Sequence, residues 1–387
     1  MRYKRFFSLL AELLFLFSAL LSQQRFDTLS IESIARGIRF FHFQTSLPQQ
    51  IYVAEIQLQE PSLRIESIRH RGLEKTSDAV RLRSSGKQTS VVAINGDFFA
   101  STDSFPTNNQ VSNAIPVSGY TTPEKSQFAC TGNRKIMMEG FTFSGNIRTR
   151  SKREYHFDRL NSIRTLSEIT FYTQFRGTST KTKAGGLEII LHPLENIVRT
   201  GDTLRYVVSS LSTAGNSPIP QNGAVISFGR SDTTAKFRSA FSIGDTIAVT
   251  LSYISSKSKQ QATVSQLIGG WGRIVHQGIF SAEYNVTMEG LKESFINSRH
   301  PRTFAGINSD TTKLYLCVVD GRQANSIGMN FSEMAEFLRI FNVTEAVNLD
   351  GGGSSTMVIR GRVVNSPSDQ SGERPVANSL HVISTSE

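Results

Sequence analysis

The chain has 387 residues, of which 38% are hydrophobic and 19% charged, and this balance excludes wholesale disorder. Its formal net charge of +10 at pH 7 favours attraction to anionic ligands such as phosphodiesters or acidic glycans. Nucleic acid is a poor fit as a partner, because the sequence has neither a basic stripe interleaved with aromatic residues nor zinc-finger spacing.

The N-terminal residues 1–22 have the pattern of a targeting segment. Arg2, Lys4 and Arg5 precede an apolar run over residues 6–21, which is too short to span a bilayer comfortably. We therefore expect a signal peptide and a secreted or periplasmic protein. Because no small-x-small triplet closes the run, an uncleaved N-terminal anchor is left open. Membrane association is expected only through this segment.

The chain contains two cysteines, Cys130 and Cys317. Cys317 lies in an apolar, strand-like stretch and is interpreted as a buried core thiol. Whether the two cysteines pair is left open, because spacing alone does not decide a disulfide. Two cysteines so far apart do not predict a metal site.

The first third of the sequence after the targeting segment has the patterns of β-strands. Strands are predicted near residues 38–43, 51–58 and 90–94, where apolar residues alternate with polar ones or run together. A short helix is predicted over 76–84. Residues 101–125 are rich in Ser, Thr, Asn and Pro and predict a long loop.

The C-terminal part changes to a strand–helix–strand pattern. A strand over 313–319 ends at Asp320, and a strand over 345–349 ends at Asp350. Between them lies a helix with one apolar face, which begins near Asn330 or Ser332. If the two strands are parallel, both acids lie on the same edge of the sheet.

The expected fold class is α+β, with a mixed sheet and this C-terminal strand–helix–strand unit. One large domain is predicted over residues 38–385. Residues 131–265 form its β-rich middle, because Gly-Asp and Asn-Gly turns separate short apolar stretches there. Residues 266–385 carry most of the motifs.

The most informative segment is the loop Asn348-Leu349-Asp350-Gly351-Gly352-Gly353-Ser354-Ser355. A strand that ends at an acid and turns through consecutive glycines brings main-chain N–H groups close to a ligand, and the hydroxyls add donors and acceptors. Such a loop suits a phosphate or sugar oxygen with a carboxylate beside it. The Walker and nucleophile-elbow spacings are absent, so neither a nucleotide P-loop nor an acyl nucleophile is predicted.

Three acids each follow an apolar strand and neighbour a glycine: Asp97, Asp320 and Asp350. One such acid is usually a turn residue, but three of them favour a shared site for proton transfer. Arg302 offers a planar fork for a phosphate, and Thr303 offers a hydroxyl beside it.

Together these motifs resemble the phosphodiester glycosidase family over roughly residues 50–385. The stretches that carry the resemblance are 93–99, 300–303, 319–322, 326–329, 348–355, 365–369 and 374–378. The family more often has glycine where Asp97 stands, so an acid role is not assigned to Asp97.

The resemblance implies a hydrolase that cleaves a sugar-1-phosphodiester into free sugar and a phosphomonoester, in a family whose bacterial members are labelled exopolysaccharide-related. Asp350 and Asp320 are expected to be catalytic, as a general base or as a stabiliser of an oxocarbenium-like centre. The expected substrate-binding residues are Asn95, Arg302, Thr303, Ser326, Asn348, Gly351, Gly352, Gly353, Ser354, Ser355, Asn365, Arg374 and Asn378.

The partner is expected to be a carbohydrate phosphodiester or an anionic glycan. No cofactor is assigned, and a divalent cation held by the carboxylates is left open. Two other functions remain as alternatives: a non-catalytic binder of anionic cell-surface glycan, and a transferase or lyase in exopolysaccharide processing.

Overall fold

The computed structural model describes residues 25–84, 88–120, 125–194, 199–230, 237 and 239–385. The targeting segment predicted over residues 1–22 lies outside these residues. In the part of the chain that is described, no helix is both long and apolar enough to cross a bilayer. Strand makes up 50% and helix 11%, so the fold is β-rich, and the expected α+β class overstates the helical content.

The strands in chain order are β1 (Phe26–Ala35), β2 (Ile38–Thr45), β3 (Gln50–Gln57), β4 (Leu63–Glu74), β5 (Gln88–Asn95), β6 (Phe99–Ala100), β7 (Phe105–Pro106), β8 (Gln110–Ser112), β9 (Ile115–Tyr120), β10 (Ser126–Cys130), β11 (Ile136–Arg148), β12 (Glu154–Phe157), β13 (Arg159–Leu160), β14 (Ile169–Thr173), β15 (Leu187–Pro193), β16 (Thr203–Ser212), β17 (Ala224–Phe228), β18 (Thr246–Ser255), β19 (Gln266–Ile268), β20 (Arg273–His276), β21 (Arg302–Asn308), β22 (Lys313–Val319), β23 (Val343–Asn348), β24 (Met357–Ile359), β25 (Arg362–Val363) and β26 (Val376–Thr385).

The named helices are α1 (Thr76–Arg83), α2 (Ala282–Thr287), α3 (Glu293–Asn297) and α4 (Phe331–Leu338). Single 3-10 turns lie at Gln174–Arg176, Arg339–Phe341 and Gly352–Ser354. Part of the segment predicted as a long loop, 101–125, is instead strand, because it contains β7, β8 and β9.

The site-bearing half of the fold is a sandwich of two sheets covered by helices. The seven-stranded sheet has the order β1-β2-β3-β22-β21-β23-β20, and the five-stranded sheet has the order β25-β24-β5-β26-β4. Along β22, Leu314, Leu316 and Val318 pack toward the five-stranded sheet, while Tyr315 and Cys317 pack toward α4. This period of two gives the sheet two apolar faces.

The β-rich middle of the chain contributes most of a twelve-stranded sheet, with the order β10-β19-β8-β9-β13-β14-β17-β15-β16-β18-β11-β12. An additional pairing of β10 with β11 closes the run of strands on itself. The enclosed core is rich in aromatic rings, including Phe143, Phe171 and Tyr253. Cys130 and Cys317 are both buried and free, so they do not pair.

The C-terminal strand–helix–strand unit is present, but its two strands are not neighbours. β21 lies between β22 and β23 and is antiparallel to both, so β22 and β23 are parallel to each other. Asp320 and Asp350 therefore follow strands that end at the same edge of the sheet, as predicted. The helix between them begins with a capping box, in which Asn330 and Glu333 bond each other's main-chain N–H groups.

A chain of buried hydrogen bonds runs through the five-stranded sheet. His70 contacts Ser379 at 2.7 Å, Ser379 contacts His381 at 2.6 Å, and His381 contacts Ser90 at 2.8 Å. Burial lowers the pKa of His70 to about 4 and holds the pKa of His381 well below its usual value. Both rings are therefore neutral in the folded protein at neutral pH.

This histidine chain predicts a loss of stability on acidification. Unfolded histidine binds a proton near pH 6.5, so stability is complete above that pH and falls as the pH drops from about 6.5 toward 4. Each histidine should contribute about 1 kcal/mol between pH 6 and pH 5. Urea unfolding at several pH values measures this dependence of the free energy of unfolding on pH. About half of the dependence should be lost in His70→Gln, and none in His156→Gln, a control at an exposed histidine. Equal pH slopes in the parent and His70→Gln would contradict the account.

Candidate active site

The edge where Asp350 lies is held together by one buried amide, that of Asn95 at the end of β5. Its Oδ1 accepts from the Thr303 hydroxyl at 2.7 Å and from the Thr356 N–H at 3.1 Å, and its Nδ2 donates to the Asp350 carbonyl at 2.6 Å. The amide thus ties the five-stranded sheet to β21 and to the loop after β23. Asn95 and Thr303, both predicted as ligand contacts, are scaffold residues with no exposed surface.

Asp350 is partly buried and lies at this edge. Its N–H donates to the Gly96 carbonyl at 2.9 Å. Burial raises the pKa of its carboxyl to about 6, and this rise is opposed by a hydrogen bond from Ser354 and by the positive charge of Arg374. A carboxyl that titrates near neutrality can both hold and release a proton at working pH.

Asp97 is a second, fully buried acid next to Asp350. Its carboxylate accepts from the main-chain N–H of Asn108 at 2.9 Å and from the Asn108 side chain at 2.6 Å. Burial raises the pKa of Asp97 to about 7. The hydrogen bonds from Asn108 and the positive charge of Lys125 oppose that rise, and the negative charge of Asp350 adds to it. Two neighbouring acids with raised pKa values are typical of a functional site.

Sequence reasoning left Asp97 without a role, although Asp97 follows β5 at the same edge. Asn378 holds it from the other side, because the Asn378 Oδ1 accepts from the Asp97 N–H at 2.7 Å. Gly269 lies against its carboxylate, and a Cβ there would stand 2.5 Å from Oδ1. The strand-then-acid pattern marked Asp97 as part of a shared site, and the pairing of β5 with β24 and the Asn95 side chain bring the end of β5 to the glycine loop.

The glycines of the predicted loop allow close packing of the main chain. The Gly352 N–H donates to the Pro301 carbonyl at 2.9 Å, and Gly352 has a φ of +64°, which favours glycine. A Cβ on Gly351 would lie 2.7 Å from that same carbonyl, and a Cβ on Gly353 would overlap the Asp369 carboxylate. The prediction that the main-chain N–H groups of this loop bind an anion is therefore wrong for Gly352, because its N–H is already bonded within the protein.

Arg302 does not reach the site, and its predicted phosphate contact is corrected. Only 1% of the residue is exposed. Its guanidinium donates to the carbonyls of Phe295, Ser298 and Met329 at 2.7, 2.9 and 3.0 Å. It also lies between the rings of Phe295 and Phe331, at 4.6 and 5.0 Å from their centres. Burial lowers its pKa to about 9, so this buried cation is stabilised by carbonyls and rings rather than by an anion.

Asp320 is corrected in the same way, from a catalytic acid to an internal anchor. The residue is 1% exposed, and its Oδ1 accepts from the Asn365 side chain at 2.9 Å and from the Ser366 N–H at 3.0 Å. The Tyr52 hydroxyl also bonds it. Burial raises the pKa of Asp320, and these hydrogen bonds oppose the rise.

Several other predicted ligand contacts are buried and bonded internally. Ser326 donates to the Asp320 carbonyl at 2.7 Å, and Asn365 accepts from the Met357 N–H at 2.8 Å. Asn348 donates to the Trp271 carbonyl at 3.0 Å. Within the described residues, the Asn348 Oδ1 and the Ser355 Oγ are buried without a hydrogen-bond partner. The Thr356 Oγ1 and the Ser368 Oγ are likewise buried without a partner, and these four oxygens can accept a bond from a bound group or water.

Two arginines at the tip of the glycine loop take the place predicted for Arg302. Arg374 is partly exposed, binds Asp369 through two bonds of 2.7 and 2.9 Å, and approaches the Ser354 hydroxyl at 3.4 Å. Arg322 is exposed, and its Nη2 lies 3.2 Å from where a Cβ on Gly352 would be. Arg374 was predicted as a contact, whereas Arg322 was seen only as part of a motif.

A wall of aromatic and cationic side chains lies beside the two acids. The Lys125 ammonium lies 4.0 Å from the centre of the Trp271 ring, and Phe98 meets that ring edge-on at 6.0 Å. All three side chains are partly exposed. Lys125 also acts electrostatically on Asp97, which places the wall next to the acid pair.

Buried Glu289 fixes this wall from behind. Its carboxylate accepts from the main-chain N–H groups of Ser126 at 3.2 Å and Gly272 at 2.7 Å, the residues that follow Lys125 and Trp271. Its carbonyl accepts from the indole N–H of Trp271 at 2.7 Å. One residue therefore sets the position of both members of the cation–π pair.

No group of three or more His, Cys, Asp or Glu side chains in the described ranges could hold a metal ion. Asp350 and Asp369 are neighbours of Arg374, and Asp97 is a neighbour of Lys125, so the site pairs its acids with cationic side chains. Such a site can bind an anion and move a proton beside it.

Comparison with known proteins bears on the family resemblance. Residues 197–383 match the family model of phosphodiester glycosidases, which confirms the resemblance predicted from the motifs. The mouse N-acetylglucosamine-1-phosphodiester alpha-N-acetylglucosaminidase is 44% identical over 80 residues, which cover 21% of this chain and 15% of the mouse protein. The match thus spans only a small part of that relative's length.

Two solved structures share the fold. A hypothetical protein from Synechocystis superposes with a TM-score of 0.73 and 19% identity, covering 92% of this chain and 64% of that one. A candidate exported protein of Burkholderia pseudomallei superposes with a TM-score of 0.69 and 18% identity, covering 89% of this chain and 74% of that one. At this identity the likeness describes the architecture alone.

The placement of Arg302 predicts a structural role that mutation can separate from binding. Arg302→Gln removes donors from three buried carbonyls and should lower the free energy of unfolding by about 3 kcal/mol. Arg374→Gln, at a partly exposed ion pair, should cost less than about 1 kcal/mol. Urea unfolding of both variants measures the difference. An Arg302→Gln protein as stable as the parent would contradict the structural assignment.

Proposed function

We propose that the protein hydrolyses a glycosyl phosphodiester, releasing free sugar and a phosphomonoester. The observation that carries the proposal is the placement of Asp350, a partly exposed acid with a raised pKa, between cationic Arg374 and the acid Asp97. The family match and the activity for which the mouse relative is named support a sugar-1-phosphodiester as the substrate class.

The charge distribution suggests how such a substrate would lie. The phosphodiester carries one negative charge, which the guanidinium groups of Arg374 and Arg322 can neutralise. The Trp271 ring offers an apolar face for a sugar ring beside the acid pair. This orientation places the anomeric carbon next to the Asp350 carboxylate.

The reaction then needs one proton transfer. The bond between the anomeric carbon and the phosphate oxygen breaks, and its electron pair leaves with the phosphate, which the arginines stabilise. A water oxygen bonds to the anomeric carbon, and its proton passes to the Asp350 carboxylate. A phosphate is a good leaving group, so one accessible carboxylate is sufficient for this route.

Asp97 is proposed as a positioning residue, because its buried oxygens are bonded to Asn108 and do not face a ligand. Its negative charge, acquired above pH 7, would be the second one of the acid pair and would oppose an anionic substrate. We also propose that the protein acts outside the cytoplasm, on the basis of the N-terminal pattern of residues 1–22.

Asp350→Asn should abolish hydrolysis while leaving the fold intact. Loss of the base should lower kcat by about 10²–10⁴-fold for a glycosyl-1-phosphodiester that has no nitrophenyl group. The rate is measured as release of free sugar. Asp320→Asn, at the other predicted acid, should lower stability and keep kcat. Asp202→Asn, at an exposed acid of a turn, should change neither quantity.

Full hydrolysis by Asp350→Asn would reject the assignment of the base. Binding without turnover by the parent protein, on a panel of glycosyl phosphodiesters, would instead favour the non-catalytic glycan binder.

The pKa values of the two acids predict a bell-shaped pH profile of kcat/KM. Activity should rise as Asp350 ionises near pH 6 and fall as Asp97 ionises near pH 7, because the second charge repels the substrate phosphate. In Asp97→Asn the acid limb should remain and the alkaline limb should disappear. Retention of both limbs in that variant would show that Asp97 does not set the alkaline side.

A further inference from the structure

A second cavity, of about 670 Å³, lies away from the acid pair. Its walls are β10–β11, the segment 255–263 that follows β18, and β20. We call it the basic cavity and define it by Lys135, Lys257, Arg273, His276 and Tyr284, which line it. Its volume falls within the range of about 300–1,000 Å³ that is usual for small-molecule sites.

The positive charges of the basic cavity are not matched by free carboxylates. Glu345 pairs with His276 at 2.9 Å and accepts from the Gln277 N–H at 3.2 Å. Glu139 accepts from the Ser255 hydroxyl and keeps its negative charge, so the lining sets three cationic side chains, Lys135, Lys257 and Arg273, against two carboxylates and is positive by one charge. In the described part of the chain, Lys135 and Lys257 are exposed and form no salt bridge, so their charges remain available to a ligand.

Arg273 has a defined orientation inside the cavity. Its Nε donates to the Ser126 hydroxyl at 3.0 Å, and its guanidinium lies 5.0 Å from the centre of the Tyr284 ring. The hydroxyl and the ring hold the guanidinium in one orientation at one end of the cavity, where its charge also acts on the buried Glu289 carboxylate.

The remaining lining favours a saccharide as the neutral part of the ligand. Short hydroxyl and amide side chains alternate along the walls, and Ile136 and Met138 supply an apolar floor. Sugar hydroxyls are matched by such donors and acceptors. The lining residues Thr131, Ser256, Ser258, Gln261 and Thr263 provide them.

We propose that the basic cavity is an accessory binding site for an acidic saccharide of about two sugar units, held through its phosphate or carboxylate by Lys135, Lys257 and Arg273. The site goes beyond the proposed hydrolysis and does not depend on it. Arg273 follows Trp271 by two residues, so the cavity begins at most about 7 Å along the chain from the aromatic wall.

The test is calorimetric titration of the full chain carrying Asp350→Asn, so that no probe is hydrolysed. The probes are maltose 1-phosphate, a glucuronate-containing disaccharide, and neutral maltose. Both acidic probes are expected to bind more tightly than maltose, and added salt should weaken their binding. The ratio of the two acidic affinities identifies phosphate or carboxylate as the preferred group.

Two matched double variants locate the binding. Lys135→Gln with Lys257→Gln should weaken the acidic probes about tenfold, whereas Lys152→Gln with Lys183→Gln, an equal change of charge at exposed lysines elsewhere, should not. Equal affinities in the two variants, binding of maltose as tight as that of the acids, or no binding of either acid would overturn the proposal.

Activity separates this proposal from the proposed function. On an active background, the Lys135→Gln and Lys257→Gln pair should keep the parent rate on a small glycosyl phosphodiester. If no phosphodiester is hydrolysed by any form of the chain, the calorimetric result still decides the basic cavity.

Discussion

The side-chain amide of Asn95 is the contact on which the geometry of the site depends. It bonds Thr303 in one sheet, Thr356 at the start of β24 in the other, and the carbonyl of Asp350 between them. A buried amide left without partners costs more free energy than a bonded one contributes. The loop that carries Asp350 is therefore fixed at the junction of two sheets, and the acid cannot shift without breaking the junction.

The polar residues at this edge divide into two groups with different roles. Asp320, Arg302, Ser326 and Asn365 are buried and bonded within the protein, and they hold loops in place. Asp350, Arg374, Arg322, Lys125 and Trp271 are at least partly exposed and can meet a ligand. Burial separates the groups because a charge with satisfied internal bonds has no donor or acceptor left for a substrate.

The sequence predicted which stretches meet at the edge better than it predicted which side chains face the ligand. The apolar period of β22 and β23, and the acids that follow them, correctly placed Asp320 and Asp350 at one edge. Arg302 is of the residue type expected to bind a phosphate, and it lies in one of the motifs that carry the family resemblance. Its enclosure by Phe295 and Phe331 arises from long-range packing that no local pattern encodes. Asp97 was singled out with them but given no acid role, because the resembling family more often has glycine there, and its contacts with Asn108 and Asp350 arise only from the folded chain.

The most direct measurement of the central claim is a crystal structure of the chain with a non-hydrolysable glycosyl-1-phosphonate diester. The account predicts the phosphonate oxygens within hydrogen-bond distance of Arg374 or Arg322, with the anomeric carbon beside the Asp350 carboxylate and the sugar on Trp271. A phosphonate found elsewhere, with the Asp350 carboxylate out of reach of the anomeric carbon, would contradict it.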